Sequence, residues 1–386
     1  MTYLIYILYF CALVGTRFDV AAGITMADFF CGGLAIICAF KFPAIISKKD
    51  IITKYTFVYS ILLLFSATIN GNITNTVVLN FSRIFVEGLI VYASLIIAIK
   101  KAKDIKILSI LIVLFSILYL FTSREQLNAS MMQENNFALV DFGQGRNAFG
   151  VTNLLLSLII VFIYFTKPFT LSKYCLLFIP FLIFNIIFSA SRFSTLSMAI
   201  FAAFVLYWQR RSISFRNIFF ILLACAAVYY IVPILTQSVD STFMNTSTEL
   251  LTNKLEKNED GGFMFRLMDL NILWIADWLD KTPLFMWIFG DGCSITHGIL
   301  SFTFCCTGLV GFIYFCYSNI KMAMKSYKSG FYGQYLCFVI GIFFLNDMVT
   351  NSRFIISQNT LIYMGILAYI CSYIKIHSNE NTNLSK

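Results

Sequence analysis

Hydrophobic positions follow one another in long runs along this chain, and short polar breaks separate the runs. Most runs approach the ~20 residues that a helix needs to cross ~30 Å of hydrocarbon. We predict spans near 2–15, 20–40, 55–69, 77–99, 105–121, 148–166, 174–190, 193–208, 217–235, 298–318, 331–349 and 354–374. The alternating pattern of lipid-embedded β-strands is absent. The pattern therefore predicts an all-α polytopic membrane protein with about twelve transmembrane helices.

Two polar breaks are much longer than the others. Residues 122–147 are predicted to form one external loop, and residues 236–297 a larger external loop between the ninth and tenth spans of a single membrane domain, 1–386. Loops of this length in a tightly connected bundle are usually functional or disordered. Within the larger loop, 264–281 places apolar residues at helical spacing beside two tryptophans. This pattern predicts a helix on the outer membrane interface, although a helix that only packs on the bundle fits it as well.

Composition supports the membrane assignment: 59% of the residues are hydrophobic, 12% are charged, and the mean hydropathy is +0.81. Those values exclude an ordinary soluble domain. Fifteen of the eighteen lysines fall on one side of the predicted topology, which the positive-inside rule identifies as cytoplasmic, together with both termini. The net charge of +9 is thus mainly a topology signal, and no nucleic-acid partner is expected.

Arginine is distributed differently from lysine. Seven of the ten arginines fall outside or within a span, namely Arg17, Arg83, Arg124, Arg146, Arg192, Arg266 and Arg353. A guanidinium stays charged and can bind two oxygens at once, which suits a phosphate or diphosphate at the membrane surface. Chance or carboxylate pairing is the alternative explanation.

Three of these arginines lie in distinctive settings. Arg192 lies in SASRFSTL, a break of a few residues between two spans, and Arg146 precedes Asn147 at the start of the sixth span. Arg266 is near the start of the predicted interfacial helix, where the helix dipole adds to a positive field. Singly, each fits a snorkelling or ion-paired residue. Arg124 and Arg353 fit either substrate binding or anchoring.

One histidine precedes the tenth span, in the stretch GDGCSITHG. Gly290 and Gly292, which flank Asp291, permit close backbone approach, and the segment then delivers His297 to the start of a helix. An imidazole there can act on a hydroxyl as a base or proton shuttle. The simpler interpretation is a polar helix cap.

Arg83 and Glu87 are four residues apart inside the fourth span, where isolated charges are costly. We interpret them as a structural ion pair with a possible functional role. No P-loop, Rossmann fingerprint, nucleophile elbow or zinc motif occurs in the sequence, so we predict no cofactor and no metal site.

These features together resemble the bacterial O-antigen polymerases and the related O-antigen ligases. The resemblance covers residues 140–320 best. It depends on the order of a GRNAFG-like span start, the pair Ser191 and Arg192, the external Arg266 ahead of a Trp-containing helix, the turn in KTPLFMWIFGDG, His297, and a span with Gly308-Leu309-Val310-Gly311.

The sequence departs from that family at one position. Ligases and many polymerases have Asn after the histidine, where this chain has Gly298. Any hydrogen bond expected from that Asn must be absent or come from elsewhere. This departure and the short spacing between Arg266 and His297 favour a polymerase over a ligase.

The resemblance implies a metal-independent glycosyltransferase of GT-C-like architecture in the bacterial inner membrane, with its active site facing the periplasm. Its expected partners are undecaprenyl-diphosphate-linked oligosaccharides, membrane lipids and a chain-length regulator protein. His297, Arg266 and Arg192 are the expected catalytic residues, since arginines can stabilise a departing diphosphate and the imidazole can activate a hydroxyl. The expected substrate-binding residues are Arg146, Asn147, Gly290, Asp291 and Gly292.

Two other functions remain open. An O-antigen ligase would transfer the finished glycan to the lipid A core with similar residues. A lipid-linked oligosaccharide flippase or other transporter would also have about twelve spans, but transporters usually carry their charges near the bilayer midplane and often have two similar halves.

Overall fold

The computed structural model describes most of the chain. Its described residues are 1–16, 18–21, 24–40, 50–134, 146–189, 192–209, 268–292, 298–349 and 357–384. Helices dominate these ranges. They are α1 (Thr2–Gly15), α2 (Met26–Ala39), α3 (Ile51–Ile69), α4 (Asn75–Ala98), α5 (Ala102–Glu134), α6 (Arg146–Thr166), α7 (Ile179–Phe188), α8 (Arg192–Trp208), α9 (Trp274–Lys281), α10 (Leu284–Phe289), α11 (Ile299–Tyr327), α12 (Phe331–Val349) and α13 (Ser357–Leu384).

Short irregular elements complete this part of the chain. Strands β1 (Asp19–Ala21) and β2 (Ile24–Thr25) pair antiparallel before α2. A 3₁₀ helix, Thr170–Phe178, leads into α7, and a π-helix, Met268–Leu273, leads into α9. A second π-helix forms the middle of α4, at Arg83–Ile90.

Eight helices in the described ranges are long and apolar enough to cross a membrane, and three shorter apolar helices accompany them. These helices coincide with eleven of the predicted spans, and the remaining predicted span, 217–235, lies outside the described residues. The prediction of a helical, multi-pass membrane protein is confirmed. The protein must satisfy its backbone polar groups within its helices, because hydrocarbon offers no partner for them.

The second predicted span begins later than its hydropathy indicated. Asp19–Ala21 and Ile24–Thr25 form the paired strands β1 and β2, and helix α2 begins only at Met26. The Asp28 carboxylate accepts hydrogen bonds from the backbone N–H and the hydroxyl of Thr25, at 2.7 and 3.1 Å. This arrangement caps the first turn of the helix, which explains both its start and the acidic residue near the membrane.

Helix α5 extends well into the predicted loop at 122–147. It continues to Glu134, and residues 135–145 lie outside the described ranges. Polarity misled the prediction, because residues 122–134 are polar but include good helix formers, and neither Gly nor Pro occurs between 102 and 134. The N–H groups of Lys100 and Lys101 bond to the Asp104 carboxylate at 3.0 and 2.9 Å at the other end of this helix.

The chain divides into two compact units. One unit combines Met1–Phe115 with Phe265–Lys386, and the other is Ser116–Met264. In the first unit, α4 packs against α1, α2, α3 and α13, while α11 packs against α3, α10 and α12. In the second unit, α6 packs against α7 and α8, and 89% of its apolar membrane-spanning stretch is buried inside the protein.

Helix α11 is interrupted inside its apolar stretch. Gly308 has φ 65° and ψ −169°, so the chain leaves the helical conformation there and resumes it at the next residue. Non-helical backbone at membrane depth is stable only where protein or water covers it. The segment that covers this break includes the glycine-rich turn of the predicted site.

Candidate functional site

The turn Gly290-Asp291-Gly292 follows α10 and is buried. Gly290 and Gly292 have φ values of 75° and 77°, a region that glycine enters without steric cost. A Cβ on Gly290 would overlap the backbone of Cys306, and one on Gly292 would overlap Ala67. Both glycines are therefore required by their conformation and by close backbone contact.

The turn supplies hydrogen-bond donors to the broken helix α11. The N–H of Asp291 donates to the Cys305 carbonyl at 2.8 Å, and the N–H of Gly292 donates to the Cys306 carbonyl at 3.0 Å. In an unbroken helix, these carbonyls would accept from residues four positions later, beyond the break at Gly308. The turn thus replaces helical hydrogen bonds across the interruption.

The end of α3 binds the other side of the same turn. Ser66 Oγ donates to the carbonyl of Phe289, the residue before the turn. Asn70 Nδ2 donates to the Gly290 carbonyl at 2.7 Å, and Asn72 Nδ2 donates to the Asp291 carbonyl at 3.1 Å. Three successive carbonyls are therefore bound by three side chains from one helix end.

The side chain of Asp291 is also bound. It is 8% exposed, and its Oδ2 accepts from Trp278 Nε1 at 2.9 Å. The N–H of Gly290 donates to the Met286 carbonyl at 2.6 Å, and those of Asp291 and Gly292 donate to α11, so all three N–H groups of the turn have protein acceptors. Gly290, Asp291 and Gly292 come directly before residues 293–297, which lie outside the described ranges, and the direct binding of substrate by these three residues stays a prediction.

A second junction lies at the start of α11, directly after His297 in sequence. Asn271, from the π-helix before α9, is 1% exposed. Its Oδ1 accepts from the N–H groups of Leu300 and Ser301 at 3.2 and 3.4 Å, and its Nδ2 donates to the Met348 carbonyl at 2.7 Å. One carboxamide thus connects the ends of three elements.

Further contacts reinforce this junction. Ser301 Oγ donates to the Leu270 carbonyl at 2.6 Å. A Cβ on Gly298 would overlap the side chain of Asn271. Gly298 is the position at which the resemblance leads one to expect Asn, so the amide beside the start of α11 comes instead from Asn271, 27 residues earlier in the chain.

Sequence reasoning missed Asn271, although a signal for it was present. The residue falls among the apolar positions of the predicted interfacial helix, close to Met268, Ile272 and Ile275. A polar side chain on an apolar helix face is usually buried with a partner. The partners themselves are 29 and 77 residues distant, which a local pattern does not reveal.

The remaining predicted site residues fall into two groups. Arg266, His297 and Arg353 lie outside the described residues. Arg124, Arg146, Asn147 and Arg192 are described by their backbone: Arg124 is within α5, Asn147 is within α6, and Arg146 and Arg192 are the first residues of α6 and α8. These four belong to the second unit, whereas the Asn271 junction belongs to the first.

Arg83 and Glu87 lie in the π-helix of α4 and are 6% and 1% exposed. Both side chains have interaction partners. π-Helical turns are rare and frequently occur at functional sites, and charged residues at membrane depth usually face the protein interior. Their burial agrees with an internal position, while their mutual neutralisation stays a prediction.

No family model matches this chain, and searches of the curated proteins and the solved structures gave no match either. What the fold defines is a class, that of helical multi-pass membrane proteins.

Proposed function

We propose that this protein is an O-antigen polymerase, or a polymerase of a related surface polysaccharide, in the bacterial inner membrane. It would join repeat units carried on undecaprenyl diphosphate at the periplasmic face. We further propose about twelve spans in a GT-C-like arrangement, with both termini in the cytoplasm and membrane lipids and a chain-length regulator protein as partners.

The observation that supports this proposal best is the junction around Asn271. It brings together Leu270, Gly298 to Ser301, and Met348 through hydrogen bonds of 3.4 Å or less. These elements flank three candidate residues in the sequence: Arg266 precedes Leu270, His297 precedes Gly298, and Arg353 follows Met348. The three candidate residues lie outside the described ranges, and we propose that they contribute to one site.

The proposed reaction needs the groups that these segments carry. A hydroxyl at the non-reducing end of the acceptor repeat unit attacks the anomeric carbon of the donor glycan, and the bond from that carbon to the diphosphate oxygen breaks. The diphosphate leaves with the electron pair, and the hydroxyl proton passes to a base. Arg266 would stabilise the diphosphate charge, and His297 would accept or direct the proton. Roles in diphosphate binding for Arg192, Arg146 and Asn147, which belong to the second unit, stay predictions.

The turn at Gly290 to Gly292 contributes by position. It is bound to α3 and α11 through backbone and side-chain hydrogen bonds, and it lies five residues before His297. Reacting groups react fastest when they are kept in a productive geometry. The bound turn precedes the histidine segment in sequence and the Asn271 junction follows it, and both favour a catalytic role for that segment.

The choice between polymerase and ligase now depends on fewer observations. Asn271 supplies an amide beside Gly298, so the glycine at that position no longer separates the two activities. The short spacing between Arg266 and His297 is the remaining sequence argument for a polymerase.

The decisive experiment is lipopolysaccharide banding from a strain that lacks this gene, complemented with the wild type, Arg266→Ala or His297→Ala. A polymerase predicts core plus a single repeat unit in the deletion strain, a ladder with the wild type, and no ladder with either variant. Lys281→Ala is the matched control, because this exposed cation pairs with the exposed carboxylate of Asp277 at 2.7 Å. Membrane abundance of each variant is checked by immunoblot.

Other banding patterns separate the rival functions. Core without any repeat unit, together with polymer accumulating on undecaprenyl diphosphate, would identify a ligase. Core without repeat units and without external polymer would favour a flippase. A full ladder from both variants would remove Arg266 and His297 from the site whichever enzyme is present.

A further inference from the structure

Helix α9 packs apolar side chains against the bundle. Ile275, Trp278 and Leu279 are half-buried, and the ring of Trp278 meets the ring of Phe304 in α11 edge to face, with 6.0 Å between the centroids. The exposed positions of α9 include its charged residues, Asp277, Asp280 and Lys281. Of the two arrangements that the sequence left open for this helix, these contacts support packing on the bundle.

Helix α10 has the opposite character. None of its six residues is charged and none is buried. Its exposed large apolar residues are Leu284, Phe285, Trp287 and Ile288, and Leu284 is 67% exposed. A cluster of exposed apolar side chains on a folded chain marks a contact surface for a partner or a membrane.

The exposed surface of α10 adjoins the lipid-facing surface of a span. Helix α3 is long and apolar enough to cross a membrane, and its second half exposes one face, made of Ile61, Leu64, Phe65 and Ile69. The ring of Phe65 contacts the ring of Phe289, with 5.9 Å between the centroids. The ring of Phe289 contacts that of Phe285 in turn, at 5.1 Å. The apolar surface of α3 therefore continues onto α10.

The same contacts give the depth of α10. Phe65 and Ser66 are the residues of α3 that contact Phe289, Ser66 through a hydrogen bond to its carbonyl. They precede Ile69, the last residue of α3, by four and three positions, which corresponds to about 5–6 Å along the helix axis. The end of α10 thus lies beside the last turn of a span rather than beyond it.

The polar groups around α10 are bound by protein. The carbonyls of residues 289–291 accept from side chains at the end of α3, and the N–H groups of residues 290–292 donate to protein carbonyls. The indole N–H of Trp287 donates to the Thr282 carbonyl at 3.2 Å. Water would satisfy such groups at an aqueous surface, whereas hydrocarbon offers them no partner. Their satisfaction within the protein therefore suits a segment that contacts lipid.

We propose that α10 is embedded in the membrane leaflet at the end of α3, where it anchors the segment before α11 to lipid. Leu284, Phe285 and Ile288 contact acyl chains, and Trp287 lies near the headgroups, where tryptophan is enriched. In the proposed orientation this is the periplasmic leaflet. The inference does not depend on the catalytic activity, because it uses only contacts of α3, α10 and the turn between α10 and α11.

The first test measures the surroundings of Trp287. The full-length protein is reconstituted into phosphatidylcholine vesicles with or without bromine on the acyl chains just below the headgroups, since bromine quenches tryptophan on contact. The chain has four tryptophans, so the fluorescence of Trp287 is obtained as the difference between the wild type and Trp287→Phe. We expect brominated lipid to reduce this difference signal about twofold or more, as for other tryptophans of the membrane interface. Iodide, which stays in water, should reduce it much less.

The other quenching patterns identify other occupants of this surface. Stronger quenching by iodide than by brominated lipid would place α10 in water and overturn the proposal. Quenching by neither reagent would show that protein covers α10, for example a second copy of the chain, and would overturn it as well.

The second test places a carboxylate on the same surface. At an aqueous surface, Leu284→Asp would change stability little, because exposed substitutions are usually tolerated. In contact with acyl chains, a carboxylate is costly, so we expect the yield of folded protein to fall about tenfold or more. The yield is measured by fluorescence-detected size-exclusion chromatography of a tagged chain.

Ala276→Asp is the matched control, because it introduces the same carboxylate at an exposed position of α9. Its yield should stay close to that of the wild type. A wild-type yield for Leu284→Asp would overturn the proposal. An equal loss in both variants would also overturn it, since the effect would then not be specific to α10.

Discussion

The indole N–H of Trp278 donates to the carboxylate of Asp291 at 2.9 Å and joins the exposed helix α9 to the buried turn before α11. The two residues are 13 positions apart, and the short helix α10 lies between them. The contact joins the two ends of the segment 278–291. It also gives the buried carboxylate a hydrogen-bond donor.

Replacement of Trp278 by Phe should destabilise the protein. The ring is largely retained, but the buried Asp291 carboxylate loses a donor, which should lower the free energy of unfolding by about 1–3 kcal/mol. Equilibrium unfolding in mixed micelles, followed by circular dichroism, measures this quantity. Trp287→Phe is the control, because its indole donates to the Thr282 carbonyl at an exposed position and its loss should cost about 0.5 kcal/mol or less. Equal losses in the two variants would contradict the importance of the Asp291 contact.

Trp278 and Asn72 should be energetically coupled, although they lie on different elements. Trp278 binds the side chain of Asp291, and Asn72 binds its carbonyl at 3.1 Å. Two groups that fix one residue are not independent, so a double-mutant cycle with Trp278→Phe and Asn72→Ala should give a coupling energy of about 0.5 kcal/mol or more. The same unfolding assay provides the four free energies. Strict additivity would show that the two bonds act separately.

Gly308 should not tolerate a side chain. Its φ of 65° disfavours other residues, and a Cβ there would overlap the backbone of Ile288. Gly308→Ala is therefore expected to lower the yield of folded protein severely, as measured by fluorescence-detected size-exclusion chromatography of a tagged chain. Gly341→Ala, within α12, is the matched control, because its Cβ would meet nothing within 4 Å. Its yield should equal or exceed that of the wild type, since alanine is the better helix former.

The ninth predicted span can be tested with alkaline phosphatase, which is active only outside the cytoplasm. Fusions after Arg211 and Leu250 flank residues 217–235. If those residues cross the membrane in the proposed orientation, the fusion after Arg211 is inactive and the fusion after Leu250 is active. A fusion after Lys386 should be inactive as well. Equal activity after Arg211 and Leu250 would rule out a ninth crossing and require a new topology for the second half of the chain.

The helices were largely predictable because long apolar runs have few alternatives in a bilayer. The start of α2 was misplaced because hydropathy does not register the β1–β2 hairpin or the Asp28 cap. The end of α5 was misplaced because polar residues with high helix propensity can extend a helix beyond its apolar part.

The candidate site was less predictable than the fold. The glycines of the turn indicated close backbone contact, but not that the contact would be with Cys306 and Ala67. The break at Gly308 and the π-helix at Arg83–Ile90 have no signature in hydropathy. Asn271 was not predicted because its hydrogen bonds are made with α11 and α12, and packing determines the contacts between such distant segments.

The interruption of α11 also constrains the order in which the protein can be assembled. During synthesis, the end of α3 emerges first, then the turn at Gly290 to Gly292, and only afterwards Cys305 and Cys306. If α11 entered the bilayer already broken at Gly308 and without the turn, the carbonyls of Cys305 and Cys306 would lack donors, at a cost of several kcal/mol for each group. The turn has been synthesised before α11 enters the bilayer, and it can donate hydrogen bonds to those carbonyls during insertion. Helix α11 and the turn that precedes it should therefore insert in one cooperative step, in which the turn stabilises the broken helix.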